Sequence, residues 1–253
     1  MTLRSDFPLR QPAILCTLLL SLSLFVNCSS PDLSYELGMV EVDKQEYESA
    51  IEYFKAGLKN NPDDAYRFHY ALGRCYFELS DYAMAKKELN KTIALNKYFP
   101  GSYFLMAKIF SRNGDFEKAI DYYSQAIAIE PDPRLFTSRG FIYIRMNKFE
   151  AALNDLDEAL ELNPEDAYAL SNRGLVKTKL NRLSEARLDL EKSKRADASN
   201  PYMYKHLALL NLAEKDTPRA CINLQEAKDK GYSTFGNEID KHEVDDLLRL
   251  HCQ

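Results

Sequence analysis

Small and large apolar positions recur between residues 31 and 234 at intervals of 33 to 35 residues. A small residue stands at the same point of each interval: Gly38, Gly73, Ala107, Gly140, Gly174 and Ala208. An alanine follows twelve positions later: Ala50, Ala85, Ala119, Ala152, Ala186 and Ala220. A large apolar residue comes four positions after that: Phe54, Leu89, Tyr123, Leu156, Leu190 and Leu224. An interval of this length indicates a repeat array rather than one globular core.

Each interval predicts two helices joined by a short turn. The small residue of the first helix and the alanine of the second are expected where the helices cross most closely. A larger side chain there would push the helices apart, at a cost of about 1–3 kcal/mol. The large residue one helical turn further on fills the adjacent space. Since one helix pair cannot bury its apolar face, the pairs are expected to stack into a curved array.

This skeleton resembles the tetratricopeptide repeat, and the phrases DYYSQAIAIEPD and LDEALELNPED are its clearest copies. The resemblance implies an all-α fold, a right-handed α-solenoid of about six helix-turn-helix units plus a C-terminal capping helix. It assigns an array to residues 28–234, with units at 31–65, 66–99, 100–132, 133–166, 167–200 and 201–234. The capping helix is expected within residues 235–253, with Leu247, Leu248 and Leu250 facing inward and acidic residues such as Glu243 facing water.

The N-terminus carries a separate signal. Arg4 and Arg10 precede an uncharged run at residues 13–26, which is too short for a bilayer span of about 20 residues. Its length matches the core of a signal peptide. The run leads into Cys28 and resembles a bacterial lipoprotein signal. That resemblance implies a signal peptide at residues 1–27, lipidation of Cys28 and a place in the cell envelope. Ser29, in the position after the cysteine, favours the outer membrane. An uncleaved N-terminal membrane anchor is the alternative.

The charge pattern suggests a binding surface. The formal net charge of −5 argues against general nucleic-acid binding. In tetratricopeptide arrays, positions 2, 5, 9, 12 and 13 of each unit project into a concave groove, and here those 30 positions hold eight bases and three acids. The predicted partner-binding residues are Arg67, Tyr70, Arg74, Phe77, Phe104, Lys108, Arg112, Arg134, Phe141 and Arg145. The bases would pair with carboxylates of an acidic segment and the aromatics would supply apolar contact. The alternative is that these are solvated surface side chains.

The rest of the sequence shows no motif for catalysis, metal binding or phosphate binding. The histidines show no metal-ligand spacing, and neither a Gly-rich phosphate loop nor a Gly-x-Ser-x-Gly elbow occurs. The sequence therefore predicts no catalytic residues, no metal, no cofactor and no enzyme activity. Cys221 and Cys252 are close to the C-terminus, and export permits a disulfide between them that would pin the capping helix. Two unpaired thiols are the other possibility.

These patterns together predict a non-catalytic scaffold or adaptor that is anchored to the cell envelope and binds a partner protein's segment in the groove. A substrate-binding envelope lipoprotein that captures glycans or peptides is the alternative. The units follow one another with almost no insertion, whereas glycan-capturing relatives of such arrays carry long inserted loops.

Overall fold

The computed structural model describes residues 31–60, 64–232 and 242–252, and within these ranges it contains thirteen helices. The six helix pairs are α1 (Pro31–Asp43) with α2 (Tyr47–Asn60), α3 (Ala65–Glu78) with α4 (Tyr82–Leu95), α5 (Pro100–Arg112) with α6 (Phe116–Ile129), α7 (Pro133–Arg145) with α8 (Phe149–Leu162), α9 (Ala167–Lys179) with α10 (Leu183–Ala196), and α11 (Pro201–Ala213) with α12 (Thr217–Asp229). A further helix, α13 (Glu243–His251), follows them. The signal-peptide and lipidation predictions fall on residues outside these ranges.

The helices stack as a linear array. Contacts are most extensive inside each pair, and the second helix of one pair then packs on the first helix of the next. The predicted fold class is confirmed: the chain is an all-α array of helix-turn-helix units with a C-terminal helix. No helix in the described part of the chain is both long enough and apolar enough to cross a bilayer.

The small positions explain why the helices of a pair approach so closely. A Cβ added to Gly38 would lie 2.4 Å from Cε1 of Phe54, and one added to Gly174 would lie 2.6 Å from Cγ of Leu190. The alanines of the second helices, such as Ala50, are completely buried at the same crossings. The large side chain therefore occupies the space that the missing Cβ leaves, so the repeated pattern fixes the packing of each pair.

The turn inside each pair has a recurring backbone shape. One residue of every such turn has a positive φ: Gln45 (64°), Ser80 (61°), Gly114 (78°), Asn147 (56°), Asn181 (60°) and Lys215 (64°). This left-handed conformation is unfavourable for residues with a Cβ and is adopted most readily by glycine. Because five of the six positions are not glycine, the residue types alone did not reveal this feature of the turns.

The C-terminal helix closes the last pair. Val244 is buried in the core cluster of α11 and α12, and Leu247 and Leu248 pack against that cluster. A disulfide between Cys221 and Cys252, with their Cα atoms 5.6 Å apart, ties α12 to the residue after α13. The expectation that Leu250 faces inward is wrong, because its side chain is 74% exposed.

Candidate functional site

The first helices of the pairs lie on the concave side of the array. Successive first helices contact one another directly, as in α3 with α5, α7 with α9, and α9 with α11, while the second helices approach one another less closely. A stack that is tighter on one side curves toward that side. The helices α1, α3, α5, α7, α9 and α11 therefore line a groove, which we call the first-helix groove.

The N-terminal part of this groove is rich in aromatic rings. The Arg67 guanidinium lies 4.7 Å from the centroid of the Tyr35 ring. The half-buried Tyr70 packs its ring edge-on against Phe99, with the centroids 4.8 Å apart. Burial raises the pKa of Tyr70, although the positive charge of Arg74 opposes this rise. These contacts place Arg67 and Tyr70 on the groove wall.

Phe77 departs from the sequence prediction. Its side chain is completely buried, so it cannot contact a partner directly. The ring packs against Tyr82, with centroids 5.9 Å apart, and two cations lie over it. The Lys108 ammonium is 4.8 Å and the Arg112 guanidinium 4.6 Å from the ring centroid. Phe77 is thus the apolar floor beneath two basic side chains rather than a contact residue.

Three bases from α3 and α5 form a cluster, which we call the basic cluster: Arg74, Lys108 and Arg112. Burial lowers the pKa of Lys108; Glu78 opposes that effect, and the charges of Arg112 and Arg74 lower the pKa further. Among the described residues, neither Arg74 nor Lys108 forms an ion pair. The cluster therefore holds positive charge that the protein's own carboxylates neutralise only in part, which favours an anionic ligand.

The other predicted bases are arranged differently. Arg112 is exposed and donates a hydrogen bond of 2.9 Å to the Tyr82 hydroxyl. Arg134 donates from Nε and Nη2 to the Asp132 carboxylate at 2.9 and 2.7 Å, which neutralises its charge at the start of α7. The Arg145 guanidinium lies 5.8 Å from the Phe116 ring centroid. The structure thus does not bring Arg134 or Arg145 into the basic cluster.

Apolar groove positions follow the basic cluster along the array. Phe104 is half-buried, 5.5 Å from the Lys108 ammonium and 6.1 Å from the Tyr123 ring. Phe141 on α7 is 38% exposed, and Tyr168 at the start of α9 is 54% exposed. Beyond them the groove wall changes, since Leu175 on α9 is only 7% exposed. Among the groove positions, the most accessible aromatic side chains therefore lie on α7 and at the start of α9.

The far end of the groove is filled by the chain itself. The buried Lys205 of α11 donates to the Tyr232 hydroxyl and to the Glu243 carboxylate, both at 2.9 Å. The Tyr232 hydroxyl in turn donates to Glu243 at 2.9 Å, and its ring packs on Tyr202. Glu243 was expected to face water. No local pattern signals this contact, because the partners are 38 residues apart in sequence.

Two charged clamps join the helices elsewhere in the array. Arg173 donates to both Asp189 oxygens at 2.8 Å and to Asp157 at 2.7 Å, so that one guanidinium links α8, α9 and α10. Arg139 makes the equivalent pair of bonds to Asp155 and donates to Ser124 at 2.8 Å. These acids are structural. An Arg–Asp spacing of 16 residues recurs in both clamps and could have revealed them.

The described ranges show no group of three His, Cys, Asp or Glu side chains arranged to hold a metal ion. The buried His206 accepts or donates a hydrogen bond of 2.8 Å with the Ser171 hydroxyl, depending on its tautomer. Burial lowers the pKa of His206 well below its ordinary value, and the nearby charge of Lys205 lowers it further. This histidine is therefore a neutral packing residue in the wall of the array.

Comparisons with known proteins agree with the repeat pattern. Tetratricopeptide repeat profiles match residues 35–98 and 107–170. BBSome complex member BBS4 of Bos taurus is 29% identical over 156 residues, covering 59% of this chain and 30% of that protein. The chain thus spans less than a third of the length of that relative.

Solved structures share the fold. The APC/C hetero-tetramer Cut9–Hcn1 gives a TM-score of 0.75 at 17% identity, covering 90% of this chain and 44% of that chain. YrrB, a TPR protein with an unusual peptide-binding site, gives a TM-score of 0.57 at 18% identity, covering 70% of this chain and 92% of that chain. Because both profiles fall on helix pairs that the structure stacks in one register, the chain belongs to the tetratricopeptide repeat family.

Proposed function

We propose that this protein is a non-catalytic scaffold, lipid-anchored to the cell envelope at Cys28, that binds an acidic segment of a partner protein in the first-helix groove. The observation that carries the proposal is the basic cluster. Arg74, Lys108 and Arg112 gather positive charge in a groove of a chain whose net charge is −5. A carboxylate entering there gains charge-assisted hydrogen bonds and relieves the repulsion among the three bases.

The architecture supports a protein ligand. Stacked helix pairs create extended concave surfaces, which suit a length of polypeptide better than a compact small molecule. YrrB, whose array is superposable on this one, has a peptide-binding site. Extending that property to this chain is part of the proposal.

The disulfide supports the envelope location. Cys221 and Cys252 are joined, and structural disulfides persist mainly in oxidising compartments outside the cytosol. This agrees with the signal-like run at residues 13–26 followed by Cys28. A glycan-binding role receives no comparable support, because the pairs from α3 to α12 are joined by segments of three or four residues that leave no inserted loop.

Crosslinking in intact cells, followed by identification of the captured protein, tests the scaffold role. A variant with Arg74→Glu and Arg112→Glu is expected to lose the partner, because the cluster would then repel carboxylates. Lys87→Glu with Lys192→Glu is the matched control, since both lysines are exposed on second helices. Equal capture by the two double variants would contradict the acidic preference, and capture of sugar without protein would contradict the scaffold.

A further inference from the structure

The ninth positions of the second, third and fourth repeat units form a row on their first helices. Arg74 on α3, Lys108 on α5 and Phe141 on α7 are separated by 34 and 33 residues, the repeat interval. The helices α3 and α5 pack directly on each other. Residues in equivalent positions on packed helices are about one interaxial distance apart, roughly 10 Å, and this sets the expected spacing of Arg74 and Lys108. The row thus presents two cations and one accessible aromatic ring, each one repeat interval from the next along the chain.

On either side of the row, the ninth position holds an aliphatic residue that packs on the array. At the ninth position of α1, Met39 packs against the core cluster of the first pairs, and at that of α9, Leu175 is nearly buried. Arg112, one helical turn beyond Lys108 on α5, adds a second positive charge beside the middle of the row. Along the row, α3 therefore contributes one cation, α5 contributes two, and α7 contributes an apolar side chain.

An extended ligand crossing these helices has to match their spacing. A β-strand advances about 3.3 Å per residue, but residues three apart point to opposite faces. A polyproline II helix advances about 3.1 Å per residue with three residues per turn. Side chains at positions i, i+3 and i+6 of that helix lie on one face at intervals of about 9 Å. Of the two extended conformations, only the second presents side chains on one face at about the spacing expected between Arg74 and Lys108.

We infer that the first-helix groove binds an acidic segment in the polyproline II conformation, with carboxylates at i and i+3 on Arg74 and Lys108 and an apolar side chain at i+6 on Phe141. The inference rests on the proposed function, since it specifies the ligand of the same groove. Lys108 sets the register, because its ammonium is held over the Phe77 and Phe104 rings and has little freedom to follow a shifted carboxylate.

Synthetic peptides of one composition test the spacing. Two glutamates and a phenylalanine are placed at intervals of two, three or four residues, in both chain directions, on a proline-containing background. Fluorescence anisotropy with the full chain in detergent micelles measures the affinities. The three-residue series is expected to bind about tenfold more tightly than the others, in one of the two directions. Equal affinity at all three intervals would overturn the inference.

A double-mutant cycle tests the apolar end of the row. Phe141→Ala should weaken the phenylalanine peptide by about tenfold and leave a peptide with alanine at that position unchanged. Leu188→Ala, at an exposed position on α10, is the control. If Phe141→Ala affects both peptides equally, the apolar contact is refuted. If the Arg74→Glu and Arg112→Glu double variant binds every peptide as well as the unchanged chain does, the proposed function fails together with the inference. If the double variant binds more weakly but the unchanged chain shows no preference for the three-residue interval, only the inference fails.

Discussion

The Lys205 ammonium lies 2.9 Å from the Glu243 carboxylate, and this contact joins the last helix of the groove wall to the C-terminal helix. Tyr232 bonds to both groups and is almost fully buried. The disulfide holds the opposite end of α13. The C-terminal helix is thus fixed at both ends, and the surface of α11 that another pair would cover is covered by the chain itself.

Low pH is expected to weaken the contact between Lys205 of α11 and Glu243 of α13. Burial raises the pKa of Glu243, but the charge of Lys205 and the bonds from Lys205 and Tyr232 outweigh it and hold the pKa below its usual value. A lowered carboxyl pKa contributes stability above the unfolded value of 4.5, which is lost as pH falls through the folded pKa. Denaturant unfolding of Glu243→Gln should show lower stability at pH 7 and a smaller loss in acid. Asp246→Asn, at an exposed position of α13, should behave as the unchanged chain.

His206 predicts a second pH dependence. Because its folded pKa lies well below the unfolded value of 6.5, the unfolded chain binds more protons, so stability falls as pH drops below 6.5. The slope approaches about 1.4 kcal/mol per pH unit where His206 alone is responsible. His206→Asn should flatten unfolding curves measured between pH 5 and 6.5. His242→Asn alters an exposed histidine, and an equal effect there would refute this assignment.

Lys108 is expected to destabilise the fold while it strengthens the binding of acidic peptides. Burial of its ammonium lowers the pKa of Lys108, and the nearby charges of Arg112 and Arg74 lower it further. Lys108→Met keeps the packing over Phe77 and removes the charge, so we expect the free energy of unfolding to rise by about 0.5–2 kcal/mol. Affinity for the acidic peptides should fall by about tenfold. Thermal denaturation and anisotropy measure the two effects, with Lys192→Met as the control. A stability loss would contradict the repulsion.

The turns offer a test of backbone conformation. Lys215 has a φ of 64° and Gly114 a φ of 78° at equivalent points of their pairs. Lys215→Gly should raise the free energy of unfolding by up to about 1 kcal/mol, and Gly114→Ala should lower it by about 1 kcal/mol. No atom lies within 4 Å of a Cβ added at Gly114, so a clash cannot explain the loss. Unfolding in urea measures both changes, and equal signs would contradict the argument.

Lipidation of Cys28 is tested by metabolic labelling with a radioactive fatty acid. The label and the membrane-bound fraction should both be lost in Cys28→Ala, because the thiol is the proposed attachment point. Cys16→Ala removes a cysteine from within the apolar run and should keep the label. A labelled Cys28→Ala protein would refute the anchor, and an unlabelled wild type that stays on the membrane would favour the uncleaved alternative.

The fold was accessible from the sequence because its determinants are local. The crossing of Gly38 with Phe54 involves residues 16 apart in one hairpin, and the same pattern recurs in every unit. The location of the groove could be predicted in outline, because the repeat register indicates which positions of each first helix face it. The burial of Phe77 was missed because the cations that cover it come from α5, a neighbouring unit.

The C-terminal helix was the least predictable element. Val244 anchors α13, and Leu247 and Leu248 share its face at spacings of three and four residues. Leu250 follows Val244 by six residues and is rotated about 120° from that face at 3.6 residues per turn. Three leucines in nine residues suggested one inward surface, but the helix is anchored by a valine whose role depends on α12.

The buried side chains form separate clusters along the array, each shared by adjoining helix pairs. Because each helix pair contacts only its neighbours, the array has no single central core. Pulling on its two ends is therefore expected to tilt many helix-pair junctions slightly before any helix pair opens. The array is therefore expected to deform elastically, changing its curvature by small amounts to match the shape of a bound segment.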